Sequence, residues 1–167
     1  SPLYEEAYQI LSVFRRLDFL QDMPIWKAQE FIDIVEIKKF SKGEKIIEKG
    51  SIGDEFHIIY SGNISVDTGG LEEQKIYGPY DYFGEVALVT NQKRAAHVYA
   101  ATDVVLFTIP KDKFLNFITN TEFEKILKNV ANIRSSETWN LLSINPLVKG
   151  CTSTQKTWLE SIFNKKD

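Results

Sequence analysis

Between Tyr82 and Ala101 the chain reads YFGEVALVTNQKRAAHVYAA, a stretch that combines the acidic Glu85 and the basic Arg94 with several small residues. Glu85 offers a carboxylate, which accepts hydrogen bonds from hydroxyl groups. Arg94 offers a planar guanidinium, whose parallel N–H donors match the geometry of a phosphate. A ligand that carries both a phosphate and a sugar hydroxyl would satisfy both side chains.

The residues beside these two side chains favour the approach of an anion. Residues 85–88, EVAL, have helix-forming composition but are too few for more than one turn after Gly84. Such a turn leaves backbone N–H groups free and places its positive dipole end at the start. Ala95 and Ala96 follow Arg94 and are small enough to let a ligand come close. The stretch therefore predicts an anion-binding site.

The surrounding elements change in periodicity along the chain. Apolar residues at helical spacing predict helices over 3–17 and 24–34, and Pro24 suits the first turn of the second helix. Short runs rich in Ile, Val, Tyr and Phe then alternate with glycine-bearing turns, and Gly69-Gly70 is the best hairpin tip. These runs predict strands over 36–40, 45–48, 55–60, 63–67, 74–77, 95–100 and 103–109. Strands so short and evenly spaced favour an antiparallel sandwich or barrel.

Helical periodicity returns after Pro110. It predicts a short helix over 111–118 and a longer one that begins at the capping box Thr121–Glu124 and ends near Ser143. A second capping box begins at Thr152. Shifting the sequence by 127 residues superimposes six apolar positions of 14–35 on six of 141–162, which is either chance or the start of a second, tandem module.

Two motifs resemble one known family. FGEVALVTNQKRAA, residues 83–96, is similar to the phosphate-binding cassette of the cyclic nucleotide-binding domain, F-G-E-x-A-L-x-x-x-x-x-R-A/T-A. KGEKIIEKGSIGDEFHIIYSGNISV, residues 42–66, is similar to the strands upstream of that cassette. The resemblance covers about residues 7–142 and is strongest to regulatory modules of cyclic-nucleotide-dependent protein kinases, which occur in tandem.

The resemblance implies roles for individual residues. Glu85 would accept the ribose 2′-hydroxyl, Arg94 would pair with the cyclic phosphate, and the N–H groups of Ala87 and Ala95 would complete the phosphate cradle near Gly84. Val86 and Ala96 belong to the same predicted ligand-binding set. Ala95 lacks the hydroxyl that the cGMP-dependent kinases usually offer to guanine, which favours cAMP over cGMP. Trp139 is the candidate lid over the base, and packing in a helix interface is its alternative role.

Three positions depart from the family pattern. Lys93 replaces the usual proline, and His97 stands where Thr or Ser is common. Ser51 stands where kinase-type modules often place an Asp that hydrogen-bonds the cassette arginine, so Arg94 would be less firmly positioned. None of the three departures removes a direct ligand contact. His57 and His97 are expected to be strand residues and not ligands.

Composition excludes several other classes. The chain has 167 residues, a formal net charge of −3, two histidines and one cysteine, Cys151. The chain lacks the histidine ligands that a metal-dependent jelly-roll enzyme needs, and it has no nucleophile motif or P-loop motif. No catalytic residue, metal or cofactor is therefore expected. The net charge argues against nucleic acid, and no apolar run is long enough for a membrane span. The lone cysteine fits a cytoplasmic location.

The sequence as a whole predicts an α+β fold, an antiparallel β-barrel or jelly roll (double-stranded β-helix) flanked by helices. The expected divisions are helices in 1–35, the barrel in 36–109 with the cassette in 82–97, relay helices in 110–143, and a following module or helical tail in 144–167. The expected function is cyclic nucleotide binding, cAMP first, that controls a protein kinase domain in cis or in trans beside an adjacent cyclic-nucleotide-binding module. Two alternatives stay open, a degenerate module that binds only proteins and the barrel half of a catabolite-activator-type transcription factor.

Overall fold

The protein is described by a computed structural model that covers residues 2–21, 23–70, 74–84, 88 and 91–133. Glu85, Val86, Ala87 and Trp139 of the predicted site lie outside the described residues. So do residues 144–167, and with them the predicted tandem module and the transcription-factor alternative.

Three helices open the chain. Helix α1 spans Pro2–Arg16, α2 spans Asp18–Gln21 and α3 spans Trp26–Ile34. The helical spacing of apolar residues places Ile10, Val13 and Phe14 on one face of α1, and all three are buried. The four-residue helix α2 was not predicted, since a single turn carries too few residues to show a period.

Eight strands follow in the described residues, and every predicted strand is present within about two residues of its predicted bounds. Their ranges are β1 Glu36–Phe40, β2 Lys45–Ile47, β3 Glu55–Ser61, β4 Ile64–Asp67, β5 Lys75–Tyr77, β6 Tyr82–Phe83, β7 His97–Ala100 and β8 Val104–Pro110. β6 is an addition, because two residues give no alternation that a sequence can reveal. β4 pairs antiparallel with β5, which confirms a hairpin here, and Gly69-Gly70 lies in the connection between the two strands.

The strands form two antiparallel sheets in the orders β1-β8-β3-β6 and β2-β7-β4-β5. Within the described ranges no ladder joins one sheet to the other, and the bridge between Ile52 and Lys93 lies outside the named strands. The α+β class with antiparallel strands and flanking helices is confirmed, whereas the structure has two separate sheets in place of a closed barrel. Eight strands in two four-stranded sheets agree with the jelly-roll form of the prediction, which consists of two packed sheets and not of one closed barrel.

Alternation along β3 creates two cores. His57 and Ile59 point to the space between the sheets, where Ile64 and Val98 of the second sheet pack. Phe56 and Ile58 point to the opposite face and pack against the helices. Since side chains alternate between the faces of a strand, one strand supplies both the interior of the sandwich and the seat of the helices.

Two helices complete the described chain. Helix α4 spans Lys111–Ile118, as predicted, and α5 spans Glu122–Ile133, so its predicted continuation to Ser143 lies outside the described residues. Thr121 caps α5 through its Oγ1, which accepts a hydrogen bond from the Glu124 N–H at 3.2 Å. Among the described helices, none has the length and apolar character that a membrane crossing needs.

Candidate functional site

Arg94 and Gly84 lie together at one end of the two-sheet sandwich. Gly84 directly follows β6, and Arg94 lies three residues before β7. The guanidinium of Arg94 donates to the main-chain oxygen of Gly84 at 3.1 Å and to that of Glu55 at 2.5 Å. Arg94 is only 8% exposed. Two main-chain oxygens, one 10 and one 39 positions before the arginine, therefore fix one buried cation.

Gly84 must be a glycine for this arrangement. Its φ is +99°, a conformation that side chains disfavour, and a Cβ there would lie 2.8 Å from Nη1 of Arg94. The same Cβ would lie 2.9 Å from the Glu55 oxygen. The absence of a side chain at position 84 thus makes room for the arginine head group.

Ser51 contacts the site through its main chain. Its carbonyl oxygen accepts the Arg94 N–H at 2.8 Å, and its hydroxyl donates to the Glu48 oxygen at 2.6 Å. The departure at position 51 therefore does not leave the arginine loosely held. Carbonyls of Gly84 and Glu55 orient the guanidinium, and the Ser51 carbonyl anchors the main chain.

His57 is a buried base beside this cation. Its Nδ1 shares a hydrogen bond of 2.9 Å with the hydroxyl of Thr108, and its ring stacks on Phe83 at 4.8 Å between centroids. Burial lowers the pKa of His57 to about 3, and the positive charges of Arg94 and Lys38 add to the effect. A neutral imidazole is the result, so Arg94 keeps the positive character of this end of the interior.

Lys38 forms an ion pair with Glu55, the residue whose main-chain oxygen accepts a hydrogen bond from Arg94. Its Nζ lies 2.7 Å from Oε2 of Glu55. The side chain of Glu55 thus neutralises Lys38 while its main-chain oxygen holds Arg94. The ion pair fixes the start of β3 against β1, because the two residues belong to those strands.

An aromatic cluster connects the site to the helices. Tyr82 lies two residues before Gly84, and its ring meets that of Phe19 at 5.3 Å between centroids. Phe19 stacks on Phe123 of α5 at 4.1 Å, and Phe56 stacks on Phe114 of α4 at 4.2 Å. Both helices after the sheets therefore touch side chains that adjoin the residues holding Arg94.

The structure brings together part of the predicted site. Gly84, Arg94, Ala95 and Ala96 lie at the same end of the sandwich, and both alanines are half-buried. His57 and His97 lie in strands β3 and β7, as expected. The carbonyl of Glu55 and the His57–Thr108 pair were missed, since a main-chain contact leaves no signal in residue type. The described residues contain no group of three potential metal ligands.

A family profile matches this architecture. The profile described as "Cyclic nucleotide-binding domain" matches residues 37–121, just over half of the 167-residue chain. The match includes strands β2 to β8, all of β1 except Glu36, and both residues of the Gly84–Arg94 contact. The chain belongs to the cyclic nucleotide-binding domain family.

Relatives of this cyclic nucleotide-binding domain include regulated enzymes and kinase regulators. The cGMP-dependent 3′,5′-cGMP phosphodiesterase A of Dictyostelium discoideum is 33% identical over 161 residues, which cover 96% of this chain and 18% of the relative. The cAMP-dependent protein kinase regulatory subunit of Eremothecium gossypii is 38% identical over 98 residues, 58% of this chain and 21% of the relative. The chain thus spans about a fifth of the length of these two relatives.

Solved structures show the same fold. The cAMP-bound protein PfPKA-R is 26% identical with a TM-score of 0.67, over 79% of this chain and 46% of that chain. PKAR CBD2, solved with bound Sp-2Cl-cAMPS, is 27% identical with a TM-score of 0.65, over 80% of this chain and 90% of that chain.

Proposed function

We propose that this domain binds a 3′,5′-cyclic nucleotide and that Arg94 holds the cyclic phosphate. The observation that carries the proposal is the buried guanidinium of Arg94, held by two carbonyl oxygens inside the region that matches the family. A buried cation is costly unless anionic or hydrogen-bonding groups surround it, and a phosphate supplies both. The site is thereby suited to a small phosphodiester.

The remaining contacts rest on the cassette pattern. Glu85 is proposed to accept the ribose 2′-hydroxyl, and the N–H groups of Ala87 and Ala95 to bind phosphate oxygens. The Gly84 and Glu55 carbonyls fix the head group of Arg94, so the protein itself orients the guanidinium for a phosphate. Preorganisation of this kind reduces the ordering cost of binding. Trp139 is retained as a candidate lid over the base.

We infer a preference for cAMP from Ala95, which offers no hydroxyl to the 2-amino group of guanine. One relative is described as cGMP-dependent and several as cAMP-dependent, so both nucleotides belong in any test. The half-buried position of Ala95 beside Arg94 supports a role next to the ligand.

The relay to a partner is proposed to run through helices α4 and α5. Phe114 stacks on Phe56, and Phe123 meets the ring of Tyr82 edge-on at 6.1 Å between centroids, so a shift of Tyr82 or Phe56 requires these helices to repack. Bistable packing of this kind lets a ligand change a distant surface, by no more than its difference in affinity for the two arrangements. A protein kinase domain, in cis or in trans, is the proposed receiver, and the domain itself is proposed to be regulatory and not catalytic. A cytoplasmic location stays a prediction.

Calorimetric titration with cAMP and with cGMP tests the proposal. The wild-type domain is expected to bind both, cAMP more tightly. Arg94→Lys keeps the charge but loses the planar fork, and Arg94→Ala removes both. Loss of one partner of a buried ion pair costs about 3–5 kcal/mol, so Arg94→Ala is expected to lose roughly two to four orders of magnitude in affinity.

Arg15 supplies the matched control, since it is an exposed arginine on α1. Arg15→Ala is expected to bind like the wild type. Absence of heat and of any rise in melting temperature at millimolar nucleotide would leave the degenerate, protein-binding module as the function. Wild-type affinity in Arg94→Ala would show that the phosphate lies elsewhere.

A further inference from the structure

The loop of residues 48–52 is tied to the cassette at three points. The Lys49 N–H donates to Nδ1 of His97 at 3.1 Å. The Gly50 N–H donates to the Arg94 oxygen at 2.8 Å, and the Arg94 N–H donates to the Ser51 oxygen at 2.8 Å. Both main-chain polar groups of Arg94 are thus bound to this loop. Any displacement of the loop therefore moves the residue that is proposed to hold the phosphate.

The loop is also braced internally and from the other side. The Ser51 hydroxyl and the Ser51 N–H both donate to the Glu48 oxygen, at 2.6 and 3.1 Å. Nζ of Lys49 donates to the Thr68 oxygen at 2.7 Å, beyond the end of β4. The loop consequently behaves as one tight turn whose position depends on where its ends are attached.

Of the three hydrogen bonds between this loop and the cassette, only the one to His97 uses a side chain of the cassette. His97 is the first residue of β7 and comes three residues after Arg94, so its ring ties the turn to the end of the segment that carries the guanidinium. The ring accepts the Lys49 N–H through the lone pair of Nδ1. The Oδ1 atom of an asparagine would occupy nearly the same position as Nδ1, whereas the Oε1 atom of a glutamine would not.

We propose that His97 is a positioning residue for the nucleotide site, which holds the 48–52 loop against Arg94 and so raises ligand affinity. The inference rests on the proposed function and names a further residue that tunes the same site. When the tie is lost, the loop and Arg94 spend part of their time out of place. Apparent affinity then falls by the fraction of molecules that are competent to bind.

Three substitutions separate the hydrogen bond from the ring. His97→Asn keeps an acceptor at the Nδ1 position, His97→Gln moves the acceptor to the Nε2 position, and His97→Phe keeps only the ring. The dissociation constant for cAMP is expected to rise about two- to ten-fold in the Gln and Phe variants, the factor that one net hydrogen bond represents. The Asn variant is expected to bind like the wild type.

Amide hydrogen exchange supplies a readout that does not need the ligand. Exchange at Lys49 and Gly50 of the ligand-free protein is expected to accelerate in His97→Gln and His97→Phe and to stay slow in His97→Asn. Asp67→Asn is the control, because Asp67 lies opposite His97 in the β4–β7 register. It removes a neighbouring charge but not the tie, and it is expected to change neither quantity.

The affinity and exchange measurements together test the role of His97. Weaker binding and faster exchange in Gln and Phe, with rescue by Asn, support the role of His97. Equal affinity in all four proteins, or an equal loss in Asn and Gln, overturns it. If the wild type binds neither cAMP nor cGMP, the proposed function fails, and slow exchange at Lys49 in the Gln variant would then also refute the tie.

Discussion

Substitution of Gly84 by alanine tests the geometry of the phosphate site most directly. The added Cβ would lie 2.8 Å from Nη1 of Arg94 and 2.9 Å from the oxygen of Glu55. Real Cβ atoms do not approach other atoms so closely, so the guanidinium must move away from its two carbonyl acceptors. Hydrogen bonds to charged groups contribute about 1.5–3 kcal/mol each, and at least one is expected to be lost.

Gly43→Ala separates this clash from backbone strain. Gly43 has a φ of +91°, close to the +99° of Gly84, but nothing lies within 4 Å of its added Cβ. Both variants should therefore lose about 1–2 kcal/mol of unfolding free energy from the left-handed conformation. Only Gly84→Ala should lose the further contribution of the displaced arginine.

Urea unfolding and calorimetric titration with cAMP measure the two effects. Gly84→Ala is expected to be about 3–5 kcal/mol less stable than the wild type and to bind cAMP about ten- to a hundred-fold more weakly. Gly43→Ala is expected to keep wild-type affinity. Equal affinities in the two variants would refute the conclusion that the bare Gly84 backbone seats the Arg94 head group.

Three further outcomes follow from the site. Ala95→Thr should improve cGMP binding relative to cAMP by about two- to ten-fold in competition titrations, whereas Ala95→Val, which lacks the hydroxyl, should not. His57 has a pKa lowered from 6.5 to about 3, so the unfolded chain takes up its proton first and stability is lost as the pH falls below 6.5. Urea unfolding at pH 7 and pH 5 should show the wild type losing about 2 kcal/mol more than His57→Asn, and an equal loss would contradict the burial of a neutral imidazole. Phe123→Ala should remove the stack on Phe19 and cost about 3–5 kcal/mol in thermal unfolding, and a change below 1 kcal/mol would place α5 elsewhere.

Most of the order of helices and strands follows from the amino-acid sequence alone. Periodicity placed β1 at 36–40 and α4 at 111–118, because apolar spacing directly reflects which face of an element is buried. It also identified Gly84 and Arg94 as parts of one site, since the cassette motif records a local loop of fixed length. The single-turn helix α2 and the two-residue strand β6 were not predicted, because neither is long enough to show a period.

The way Arg94 is held could be seen only in the folded structure. The acceptors are carbonyl oxygens of Gly84 and Glu55, and every residue has such an oxygen whatever its type. The fold likewise brought Lys49 to the ring of His97, although 48 positions separate them in the chain. It also decided that the strands form two sheets and not one closed barrel. Contacts made by the main chain, and contacts between distant segments, depend on how strands pair in space, and residue types along the chain do not record that pairing.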